Sequence, residues 1–169
     1  MLKKIEHFIG HLADLLGKLS AILLLLLVLN VFYDVIMRYV FNDVSIGMQE
    51  LEWHLFSVVF LLGIPYTLQH DGHVRVDLIY ERLSVKQQTV IDLLGYLCFV
   101  LPFAALVAYY GWGFAEESFK LAEKSGDPGG LHYRWLIKGA IPFSFAALLL
   151  TTVGLVLRSF RVLQPDPKI

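Results

Sequence analysis

The stretch SAILLLLLVLNVFYDVIM, residues 20–37, carries one charged side chain, Asp34, in an otherwise almost unbroken apolar run. A bilayer core is crossed by roughly 20 apolar residues in helical form, and this run meets that length. Three more runs resemble it: FSVVFLLGIPY at 56–66, LCFVLPFAALVAYY at 97–110 and IPFSFAALLLTTVGLVL at 141–157. A soluble bundle would need a polar face on each helix, and these are apolar nearly all round. The pattern predicts an all-α integral membrane protein with four transmembrane helices, over about 19–38, 51–69, 90–112 and 138–158.

Composition agrees. The 169 residues are 57% hydrophobic and 14% aromatic, with a mean hydropathy of +0.63. The net charge of -1 provides no basic field for nucleic acid. A single cysteine, Cys98, excludes an internal disulfide and two-cysteine redox chemistry. Lys3 and Lys4 precede the first apolar run as in a secretory signal, but no small-residue cleavage site follows, so the segment is expected to be retained. No repeat is evident, and SGDPGG at 125–130 is too short for a domain linker, so one membrane domain over 1–169 is expected.

Four spans place both termini on one side. Lys3, Lys4, Lys18, Arg75, Arg82, Lys86, Arg158, Arg161 and Lys168 fall on that side, against Arg38, Lys120, Lys124, Arg134 and Lys138 opposite. The excess predicts cytoplasmic termini. Tyr39, Trp53, Tyr110, Trp112, Tyr133 and Trp135 then form an aromatic belt at the far interface.

Ahead of the first span, Ile5, Phe8, Ile9, Leu12, Leu15, Leu16 and Leu19 recur at helical spacing, which predicts an N-terminal interfacial helix. Past the second span, Gly72 breaks the helix. Val76, Ile79, Tyr80 and Leu83 then predict a short amphipathic helix on the cytoplasmic surface. GFAEESFKLAEK at 113–124 extends the third helix beyond the membrane, with Glu116 and Lys120 spaced to pair. Asp127 to Gly130 supply a turn before re-entry at Trp135 and Lys138.

Polar groups inside the spans are costly and therefore informative. Asn30, Asp34 and Arg38 share one helix face. Two readings stand side by side: an Asp34–Arg38 pair at the membrane boundary, or a face docked against another chain. Glu50 and Glu52 open the second span but point different ways, which favours a boundary role over a carboxylate pair. No metal site is expected. His7 with His11 offers too few ligands, and His70, Asp71, His73 and Asp77 lack a common face around Gly72. Membrane haem needs two axial histidines on different helices, and only His54 is placed to reach a helix core, so no cofactor is expected. Prolines 65, 102 and 142 invite kinks, but no cluster of small polar residues marks a self-contained substrate site.

The runs RYVFN (38–42), ELEWHLFSVVFLLGIPYTLQHDGHVRVD (50–77), GDPGG (126–130), RWLIK (134–138) and the following Ile141–Pro142 resemble the small, Q-type membrane subunit of tripartite ATP-independent periplasmic (TRAP) transporters. The similarity extends from about 30 to 145. It implies a non-enzymatic chain of the bacterial inner membrane. Its implied partners are a large membrane subunit, a periplasmic substrate-binding protein and membrane lipids, with no nucleic acid. Transport in such a family is secondary, typically sodium-coupled import of organic acids. The large subunit carries the substrate and ion sites, and the small one braces its static scaffold. The resemblance assigns importance to Glu50, to His73, Arg75 and Asp77, and to Gly129, Gly130, Arg134, Trp135 and Lys138. It departs at His132, where related sequences commonly have proline. Asp77 and its neighbours are expected to anchor the cytoplasmic end of the second helix. The face from Glu116 to Lys138 is expected to meet the binding protein. Two other classes remain in view: a haem-binding anchor of a redox complex, and a self-sufficient oligomeric small transporter.

Overall fold

The computed structural model describes residues 2–72 and 80–164, and all regular structure among them is helical. Four helices are long and apolar enough to cross a membrane: α1 (Leu2–Val40), α2 (Ile46–Gln69), α3 (Val85–Lys120) and α4 (Trp135–Leu163).

α1 runs unbroken for 39 residues, so the segment read as a separate interfacial helix is the first part of the first span helix. Its apolar residues divide between two faces. Ile9 and Leu16 are buried with Ala13, whereas Ile5, Phe8, Leu15 and Leu19 are exposed. Small residues on the inner face explain the fit. A Cβ on Gly17 would stand 2.3 Å from the Tyr66 ring of α2, and one on Gly154 of α4 would stand 3.1 Å from Ile9. Such close approach is the main source of helix affinity where lipid removes the hydrophobic drive.

Each turn at a helix end has a local cause. α1 stops where Asn42 takes a left-handed conformation (φ 54°), and α2 is capped by Ser45, whose Oγ accepts the Met48 amide at 3.4 Å. At the far end of α2, Asp71 is left-handed (φ 53°), and the Gly72 amide reaches back to Thr67 O at 2.9 Å. This is a Schellman ending, with Asp71 at the position usually held by glycine. The expected surface helix that follows falls largely on residues 73–79, outside the described residues. α3 begins at a capping box between Ser84 and Gln87.

Within α3, Tyr96–Val100 form a π turn in which the Leu101 amide bonds Tyr96 O. Pro102 follows directly and has no amide to give the preceding turn, so a wider turn absorbs the mismatch. α2 and α4 continue through Pro65 and Pro142.

α4 is the hub. It packs against each of the other three helices, while α1 also packs on α2. In its most apolar stretch 44% of residues are buried, against 11% in α3. Its inner face is built of small side chains, Ser144, Ala147, Thr151, Thr152 and Gly154. The two threonines return their hydroxyls to Ala147 O (3.0 Å) and Leu148 O (2.7 Å), which satisfies both donors within the helix, whereas the buried Ser144 Oγ has no partner among the described residues. α3 presents Phe99, Phe103, Tyr109 and Tyr110 outward, and Cys98 is exposed beside them.

Candidate functional site

Two polar clusters lie at the end of the bundle where α1 finishes and α2 begins. In the first, Asn30 and Asp34 are buried on α1. The Asn30 Nδ2 donates to Met48 O at 3.0 Å, which fastens α1 to the first turn of α2. Arg38 donates to Asp34 Oδ2 at 2.5 Å, so of the two readings of this face the Asp34–Arg38 pair is formed. The Arg38 Nε is buried and has no partner among the described residues.

The second cluster joins four chain segments around Glu50. Its Oε1 accepts the Ser125 hydroxyl at 2.5 Å, and its Oε2 accepts the Leu131 amide at 2.6 Å. The loop is thereby tied to the opening of α2. Gly130 makes room for this: a Cβ there would meet Ser125 Oγ at 2.4 Å and Glu50 Oε2 at 2.9 Å. Gly129 turns the chain with φ +82°, a conformation that penalises other residues.

Arg134 stands between the two acids of the cluster, 3.9 Å from Glu50 Oε1 and 4.0 Å from Glu123 Oε1, with its guanidinium 5.8 Å from the Trp53 ring centre. Lys138 bonds Glu123 and places its ammonium 4.0 Å above Phe114. The bonded Lys138 ammonium, assisted by Arg134, holds the Glu123 carboxyl below the usual glutamate range. Two acids and two cations balance, so the cluster can sit at a membrane surface without excess charge. Trp135 begins α4 and meets Phe119 edge-on, ring centres 5.3 Å apart.

The family described as Tripartite ATP-independent periplasmic transporters, DctQ component, matches residues 27–162. The chain belongs to this family. It is also 25% identical over 133 residues to a protein of Haemophilus influenzae named as a TRAP transporter small permease, covering 79% of this chain and 81% of that one. The DctQ component is part of a transporter and not an enzyme.

In this DctQ component, the structure gathers Glu50, Gly129, Gly130, Arg134 and Lys138 into one knot, with Trp135 at its edge. Asn30, Asp34 and Arg38 form the neighbouring cluster on α1. His73, Arg75 and Asp77 lie outside the described residues. Glu50 and Glu52 make no joint site, since the Glu50 carboxylate is taken up by the loop. His54 directs Nδ1 to its own helix at Glu50 O, 2.6 Å away. Among the described residues no three of His, Cys, Asp and Glu converge as metal ligands.

Sequence reading missed three partners in the knot: Ser125, the Leu131 amide and Glu123. Ser125 was visible only as turn composition. Glu123 pairs with Lys138 across the loop, whereas helical spacing could reveal only the local Glu116–Lys120 pair, which forms at 2.5 Å.

Proposed function

We propose that this chain is the small permease subunit of a secondary, sodium-coupled importer of organic acids in the bacterial inner membrane, with both termini cytoplasmic. It braces the static scaffold of the large membrane subunit and, through the loop between α3 and α4, helps seat the periplasmic substrate-binding protein. The reading is carried by the Glu50 knot: a charge-balanced, hydrogen-bonded clasp supports a fixed platform better than a proton or ion relay, because every carboxylate oxygen named above already has a partner. The exposed aromatic face of α3 supports it too, since an apolar surface rich in Phe and Tyr suits a neighbouring membrane helix. Family membership supports the transporter setting. His73, Arg75 and Asp77 would anchor the cytoplasmic end of α2 against lipid or the large subunit.

The test is purification of the tagged chain from native bacterial membranes in mild detergent. A polytopic membrane protein in stoichiometric yield is expected, and sodium-dependent uptake of an organic acid should require both chains and the binding protein in liposomes. Uptake by this chain alone, or a haem absorbance band from it, would overturn the proposal.

A further inference from the structure

At the opposite end of the bundle, α1 and α4 meet through Arg161 and Glu6, 2.8 Å apart. Beside that pair opens a polar cleft of about 550 Å³ lined by Glu6, His7, Gln69, Arg158 and Arg161. Arg158 is exposed and forms no ion pair among the described residues. Glu6 is already neutralised by Arg161, so the cleft keeps the positive charge of Arg158, with the Gln69 amide and the His7 ring as further polar groups.

Depth argues for the ligand's class. Arg158 lies about 35 Å beyond Trp135 along α4 at ~1.5 Å per residue. Trp135 sits at the start of the helix, where aromatic residues mark one membrane interface. With a hydrocarbon core of ~30 Å, Arg158 falls among the phosphates of the opposite leaflet. Exposed apolar side chains flank the same end, Ile5 and Phe8 on α1 and Phe160 and Val162 on α4, as an acyl chain would require. Basic pockets between transmembrane helices hold anionic headgroups by this chemistry. We propose that the cleft between α1 and α4 binds the phosphate of one anionic phospholipid, with Arg158 as its principal contact. The lipid ties α1, α2 and α4 together at the end where α1 begins and α4 finishes.

Native mass spectrometry of the full-length chain, loaded with dioleoyl phosphatidylglycerol in mild detergent, tests this. One retained lipid per chain is expected, with phosphatidylcholine retained much less. Arg158→Gln should weaken retention about ten-fold, the loss of one charge-assisted contact. Among the described residues the Arg158 side chain forms no ion pair or hydrogen bond, and an unchanged thermal transition of the lipid-free variant checks that the fold does not depend on it. Equal retention of phosphatidylcholine, unchanged retention by the variant, or displacement by excess inorganic phosphate would each overturn the proposal.

Discussion

Glu50 Oε2 accepts the Leu131 amide at 2.6 Å, a bond between residues 81 positions apart that pins the α3–α4 loop to the start of α2. Removing the acceptor should free the loop before it disturbs the helices. In Glu50→Ala, amide exchange at Leu131 should quicken at least about ten-fold, because local opening then has no charge-assisted hydrogen bond to break. Glu50→Gln keeps one acceptor oxygen and should fall between. Hydrogen exchange with mass spectrometry gives the order, and equal protection in all three would contradict the clasp.

The two glycines of the turn should respond differently. Gly129→Ala meets open space but strains a left-handed backbone, at a cost of about 1 kcal/mol. Gly130→Ala drives a Cβ into Ser125 and Glu50 and should cost about 1–3 kcal/mol. Unfolding midpoints of the purified variants would rank them.

Close helix contact predicts a graded pair in the membrane itself. Gly17→Ala collides with the Tyr66 ring and should destabilise by about 2 kcal/mol. Gly63→Ala places its Cβ at an ordinary 3.7 Å from Ser20 Oγ and should be near neutral. Adding Tyr66→Leu to Gly17→Ala should recover part of the loss in a double-mutant cycle.

Ala122 closes α3 in a left-handed conformation (φ 47°), with Glu123 N bonded to Ser118 O at 3.0 Å and Ala122 N to Phe119 O at 3.0 Å. That Schellman position favours glycine. Ala122→Gly should therefore stabilise the fold by about 0.5–1 kcal/mol, seen as a higher thermal midpoint.

Acid should loosen the loop through Glu123. Its folded pKa is depressed, first by the Lys138 bond, so its contribution is complete above the ordinary glutamate value and disappears as pH falls through the lowered one. The gap in thermal midpoint between the wild type and Glu123→Gln should be present at neutral pH and close in acid. A gap independent of pH would remove Glu123 from the account.

The four helices were legible because runs such as residues 23–32 have no polar face, and length alone separates a span from a buried soluble helix. The continuity of α1 was less legible. Apolar residues at 5–19 fit an interfacial stripe, and only the contacts of Gly17 and Ile9 reveal that part of that stripe faces other helices. Glu50, Gly130, Arg134 and Lys138 could be singled out individually, but their convergence could not. It depends on hydrogen bonds between segments far apart in sequence, for which helical periodicity carries no signal.

The central place of α4 has a consequence for biogenesis. The fourth span leaves the ribosome after the three that pack against it. An α1–α2 hairpin can form early, but α3 must wait in the bilayer with its small-residue seam, including Gly111, uncovered until Ile141 and Pro142 arrive. Assembly of these helices is therefore gated by α4, and a ribosome stalled before it leaves a chain that is inserted but not yet folded.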